Sequence, residues 1–140
     1  MSNLSISERQ VRGVVVVDLE GKITIGETNR QLHDAIRQLV AERKQSIILN
    51  LAKVTFIDSS GLGEMVAGYS TLKASGGALK LINLPARVVD LMTITKLYTV
   101  FDIYDTEAEG VEGFETEVKR TTQPLDQEFP AKAKAGSSLL

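Results

Sequence analysis

"FIDSSGLGE", residues 56–64, passes within nine positions from two apolar residues to an acid, two hydroxyls and two glycines. The pattern reads as the end of a strand and the start of a helix. A glycine in a helix costs roughly 1 kcal/mol relative to alanine, so Gly61 and Gly63 in the opening turns require a reason. Ser59 and Ser60 raise a second question, because a serine here can cap the helix, act as a nucleophile or accept a phosphate.

Upstream of the motif, "SIILNLAKV" is an apolar strand that delivers the chain to it, and "GVVVVDL" at 13–19 is a β-branched run suited to a strand buried on both faces. Leu4, Ile6 and Glu8 alternate weakly and predict a preceding edge strand. After Gly21, "KITIGETN" reads as a loop, followed by a helix through about residue 44. Leu32, Ile36, Leu39 and Val40 recur at helical spacing there, with Arg30, Asp34, Arg37 and Glu42 largely outside the stripe.

Downstream, Leu62, Met65, Val66, Tyr69 and Leu72 outline a second amphipathic helix. Gly76 and Gly77 close it and "ALKLINL" starts a third apolar strand. Pro85 stands where a further helix begins, with Val88, Leu91 and Met92 as its stripe. "VFDIYD" is a short last strand, and Thr106 followed by Glu109 matches a capping box at the head of a terminal helix. From Thr121 the apolar period is lost and two of the three prolines gather. The expected organisation is one domain over residues 1–120 and a flexible tail over 121–140. The order β-β-α-β-α-β-α-β-α predicts an α/β fold with a central, mostly parallel sheet and helices packed against it. The motif then lies at the carboxyl end of a strand, the edge where open α/β sheets present their ligands.

Composition narrows the chemistry. The chain of 140 residues has no cysteine, which excludes disulfides, thiolate catalysis and cysteine-ligated metals. A net charge of −2 gives no general attraction to nucleic acid or to an anionic membrane. The apolar runs are too short to span a bilayer, and "MSNLSISERQ" lacks the basic and apolar regions of a signal peptide. A cytoplasmic protein without membrane insertion is expected.

A serine nucleophile needs a base within reach, and the single histidine, His33, reads as a solvent-facing helix residue. "IDSSG" also lacks the spacing of a nucleophile elbow, and one histidine with scattered acids makes no metal site. Val66 stands where the third glycine of a dinucleotide fingerprint would be, and no Gly-Lys-Ser/Thr follows, so neither nucleotide motif is present. No enzyme, metal or cofactor is expected. Asp58 or Ser60 can cap the helix, with Ser60 the favoured one. A cap leaves the glycines unexplained. Bare backbone at Gly61 and Gly63 suits close approach by another surface or by a phosphate.

The stretch "VTFIDSSGLGEMVAGYSTLKASGGALKLINL" resembles the central region of the STAS-domain anti-sigma-factor antagonists. "VVVVDLEGKI" is similar to that family's second strand, and "PARVVDLMTITKLYTVFDIYDT" to its later helix and last strand, so the resemblance covers roughly residues 8–118. It implies a single STAS-like domain whose first serine after the aspartate, Ser59, is phosphorylated by a GHKL-type serine/threonine kinase that is also the anti-sigma factor. The unphosphorylated form would hold that kinase and free a sigma factor, phosphorylation would release it, and a phosphatase would reset the switch. The implied partner surface comprises Asp58, Ser60, Gly61, Leu62 and Gly63 together with the loop carrying Thr24 and Glu27. The loop departs from the family, which often has an aspartate and further polar residues where this chain has Thr24-Ile25-Gly26-Glu27. The competing expectation is an accessory STAS subunit docked on a transporter or signalling complex, with a small-ligand or nucleotide-binding domain behind it.

Overall fold

A computed structural model describes residues 4–122, so the expected tail lies outside the described residues apart from its first two positions, which continue the last helix. Strand β1, Ser5–Val11, turns through Arg12 and Gly13 into β2, Val14–Ile23. Both turn residues have positive φ, 50° and 83°, as a two-residue hairpin loop requires. Helix α1, Glu27–Ala41, leads to β3, Ser46–Ile57; α2, Ser59–Ala74, leads to β4, Ala78–Ile82. Helix α3, Ala86–Thr95, a short 3-10 turn, β5, Asp102–Tyr104, and α4, Glu107–Thr122, complete the chain.

The five strands lie in the order β1-β2-β3-β4-β5, with β1 antiparallel to β2 and the remaining pairs parallel. Alternation along the strands separates two cores. Val15, Val17, Leu19, Ile47, Leu49 and Leu81 face one way, against Leu32 and Ile36 of α1, Leu62 and Met65 of α2, and Val88 and Met92 of α3. Val14, Val16, Ile48 and Ile82 face the other, against Val111 and Phe114 of α4. The mixed sheet, its edge strand and the two-sided burial of "VVVV" agree with the sequence reading.

Two boundaries differ from it. Strand β2 does not stop near Gly21; it continues to Ile23, beside Ile57 at the end of β3, with register shifts along the pairing. Helix α1 ends at Ala41 instead of residue 44. Arg43 takes the left-handed conformation, φ 64°, and the amides of Arg43 and Lys44 turn back to the carbonyls of Val40 and Leu39. This is the Schellman arrangement, usually marked by glycine. Gly76 builds the same stop for α2, as its sequence foretold, with φ 93° and a bond from Gly77 N to Leu72 O of 2.7 Å.

The head of α4 is fixed twice. Glu109 N donates to Thr106 Oγ1 at 3.2 Å, and Glu109 Oε1 accepts from Asp105 N at 3.2 Å, a capping box displaced by one residue on its return bond. Arg9 on β1 forks between Asp18 Oδ2 at 2.6 Å and Glu107 Oε1 at 2.7 Å, and Asn50 Nδ2 adds a bond to Asp18 Oδ1 at 2.8 Å. The Arg9 guanidinium holds the Asp18 carboxyl below its ordinary range, against the opposing effect of burial. An aspartate whose pKa is lower in the folded chain stabilises it fully above the unfolded value, about 3.9, and loses that contribution as pH falls through the folded value. Asp18→Asn should therefore destabilise the domain by about 1 kcal/mol at neutral pH, the upper range for a half-exposed pair. The deficit should vanish in strong acid. Urea unfolding at pH 7 and pH 2.5 checks it, and an equal deficit at both would show that the charge is irrelevant.

Candidate functional site

Because β2 and β3 are parallel and end side by side, the turn after Ile23 and the turn after Ile57 emerge together at the carboxyl edge of the sheet. Asp58 N donates to Ile23 O at 3.2 Å, which locks the two exits. Asp58 itself is extended, φ −103° and ψ −179°, and is the N-cap of α2, with Oδ1 accepting from Gly61 N at 2.8 Å. The expectation that Ser60 caps the helix is thereby corrected. A residue must precede the first helical position to turn its side chain back on the amides, and Ser60 already lies within the helix.

The second oxygen of Asp58 accepts from Ile25 N at 3.0 Å, so one carboxylate ties α2 to the β2–α1 turn. That turn is built around Thr28, which is buried: its Oγ1 accepts from Thr24 N at 3.0 Å and donates to Thr24 O at 3.2 Å. Gly26 at φ 107° is the N-cap of α1 and offers no side chain. Glu27 is exposed in the first turn of α1.

Ser59 occupies the first position of α2 and is exposed. Neither its amide nor that of Ser60 has an acceptor among the described residues, so two N–H groups and the positive end of the helix dipole stand open beside the Ser59 hydroxyl. Ser60 is half-buried, and its Oγ accepts from Asn29 Nδ2 of α1 at 3.2 Å. One turn further along both helices, His33 Nδ1 lies 2.6 Å from Glu64 Oε2. His33 is thus half-exposed and bound to a carboxylate, where the sequence reading had it simply facing solvent.

The glycines have separate roles. A Cβ on Gly61 would lie 2.5 Å from Ile23 O and 2.7 Å from Ile23 Cγ2, so the residue is bare to let α2 sit against the end of β2. Leu62 is 2% exposed and points into the core. Both therefore support the surface from beneath, which corrects their expected place on it. Gly63 is exposed, with nothing within 4 Å of an added Cβ. The surface residues that the fold brings together are Ser59, Gly63, the exposed tip Ile25-Gly26-Glu27 and the half-buried Asp58, Ser60 and Thr24. Sequence reasoning missed Thr28, Asn29 and Glu64; the available signal was polar residues on the sides of α1 and α2 next to their apolar stripes.

Chemically, an exposed hydroxyl beside free helix amides can carry a phosphate, because the amides and the dipole stabilise its charge. No helix among the described residues is long and apolar enough to cross a membrane.

Residues 5–110 match the family described as STAS domain. An anti-sigma F factor antagonist of Paenibacillus polymyxa is 30% identical over 112 residues, which cover 78% of this chain and 93% of that protein. An anti-sigma-B factor antagonist of Bacillus subtilis (strain 168) is 31% identical over 110 residues, covering 79% and 99%. The solved structure of the anti-sigma factor antagonist SpoIIAA in its unphosphorylated form aligns with a TM-score of 0.62 at 24% identity, over 79% of this chain and 98% of that one. The phosphorylated form of SpoIIAA, the Bacillus cell fate determinant, aligns with a TM-score of 0.62 at 22% identity, over 79% and 99%. At these identities the structural likeness carries the fold.

Proposed function

The chain belongs to the STAS domain family, and from that membership we propose that it is an anti-sigma factor antagonist working by partner switching. Its unphosphorylated form holds an anti-sigma factor, a serine/threonine kinase of the GHKL type, and so frees a sigma factor in the cytoplasm. The kinase then transfers the γ-phosphoryl group of ATP to Ser59. The Ser59 Oγ–phosphorus bond forms as the bond to the β-phosphate oxygen breaks, ADP leaves, and the hydroxyl proton passes to a base on the kinase. A phosphatase restores the serine by hydrolysis. The protein supplies the acceptor hydroxyl and the binding surface and catalyses nothing itself.

The observation that carries this reading is the position of Ser59: exposed, first in α2, with the free Ser59 and Ser60 amides beside it. A phosphate brings about −1.5 to −2 charges near neutral pH, and here the open Ser59 and Ser60 amides face it, with the Asp58 carboxylate next to it. The relatives' names point in the same direction. Incubation with the cognate kinase and ATP, followed by mass spectrometry, should place one phosphate on Ser59 and none on Ser59→Ala. Phosphate on Ser60 alone would move the acceptor. No phosphate at all, with Ser59→Asp still bound at wild-type affinity, would favour the docking-subunit reading.

Glu27 stands at the tip of the turn tied to Asp58, on the proposed contact surface. Glu27→Lys should change the association rate with the kinase several-fold at low salt and much less at high salt, as rim charges do. Stopped-flow rates at two ionic strengths test it, and equal rates for mutant and wild type would put this turn outside the interface.

A further inference from the structure

Asp58 holds two segments with one side chain: Oδ1 accepts from Gly61 N at 2.8 Å and Oδ2 from Ile25 N at 3.0 Å. The Ile25 amide has no other acceptor among the described residues, and Ile25 is 77% exposed. Asp58 makes no ion pair among the described residues, where two backbone amides offset its charge. A second anion at the adjacent residue would draw on the same small set of amides, those of Ser59, Ser60 and Gly61. It would also repel the carboxylate at close range.

We propose that Asp58 relays a negative charge at Ser59 to Ile25, so that the charge loosens the carboxylate's hold on the Ile25 amide and frees the turn carrying that exposed apolar side chain. The phosphoacceptor reading of Ser59 enters only as the source of the charge. One modification then alters the partner surface in two places. It adds charge at the head of α2, and it unfastens an apolar contact point one turn away across the β2–β3 exit. Ile25 is the apolar element of that turn, and a partner that recognises the unmodified surface would meet it in a fixed position only while Asp58 holds its backbone.

The test uses the full chain alone, followed by 1H–15N NMR and amide hydrogen exchange, with circular dichroism to confirm each variant's fold. In Ser59→Asp the Ile25 amide proton should move upfield together with that of Gly61. Its exchange should quicken about tenfold, the factor that one lost hydrogen bond to a charged group supplies. Asp58→Asn, which keeps the shape and removes the charge, should shift the same two amides. Adding Ser59→Asp to it should change Ile25 no further. The neutral variant Ser59→Asn should leave Ile25 in place. The relay is overturned if Ile25 stays unmoved in Ser59→Asp while Ser60 and Gly61 respond, if Ser59→Asn moves it as much as Ser59→Asp does, or if it responds equally with Asp58→Asn present. The phosphoacceptor reading fails separately, by a kinase reaction that leaves wild-type Ser59 unmodified while Ile25 still responds to Ser59→Asp.

Discussion

Gly61→Ala should cost the domain about 3 kcal/mol, the upper range of an overpacking substitution, and lower its melting temperature by about 10 °C. The new Cβ would meet Ile23 O at 2.5 Å, Ile23 Cγ2 at 2.7 Å and Ile57 Cγ1 at 3.0 Å. The first of these is backbone, and the same carbonyl accepts from Asp58 N, so it cannot retreat without opening the junction of β2, β3 and α2. Alanine's better helix propensity, roughly 1 kcal/mol, offsets only part of that cost. Gly63→Ala should have the opposite sign. It adds a methyl group in open space inside a helix, and a gain of up to about 1 kcal/mol is expected. If Gly63 is bare to admit a partner, that more stable variant should nonetheless bind the kinase more weakly. Thermal and urea unfolding of the pair decide the matter, and similar melting temperatures for both would refute the close approach at Ile23.

Ser59→Asp should lower affinity for the anti-sigma factor kinase tenfold or more while leaving the domain folded. The two effects separate because the charge meets two environments. Towards its own helix it lies at the first position of α2, where an anion is worth roughly 0.3–1 kcal/mol of stabilisation. Towards a partner fitted to a neutral hydroxyl it brings a desolvation cost without a matching cation. A loss of about 1.4 kcal/mol suffices for a tenfold change in the dissociation constant. Calorimetric titration with the kinase, paired with a melting curve, gives both quantities. Weaker binding accompanied by a collapse in stability would mean that the charge acts by unfolding, and the surface switch would be discarded.

Element type was legible wherever the physics was local. The β-branched run at 13–19 announces a strand buried on both faces, and Gly76 announces the end of α2. The end of α1 was not legible, because Arg43 adopts a conformation that its side chain does not advertise and that only the Schellman bonds sustain. The same limit applies at the site. That an acid and two serines open α2 is plain from the sequence. Which of them caps depends on where the helix starts, and a shift of two residues moves the role from Ser60 to Asp58. The second bond of Asp58, to Ile25, joins residues 33 positions apart and follows only from the parallel pairing of β2 with β3. Gly61 and Gly63 look alike in sequence and differ only in what lies opposite them.

The order of the strands across the sheet is the order in which they are synthesised. No strand has to be inserted between two that have already paired, so each new strand has its neighbour at the open edge of the sheet formed before it. Non-local closure is the slow part of building a sheet, and this arrangement keeps the loops to be closed short. The β2–β3 exit, with Asp58 and Ser59 at its lip, therefore belongs to the part of the domain that can assemble first. The three-residue β5 and helix α4, which cover the far side and the last edge, come after it.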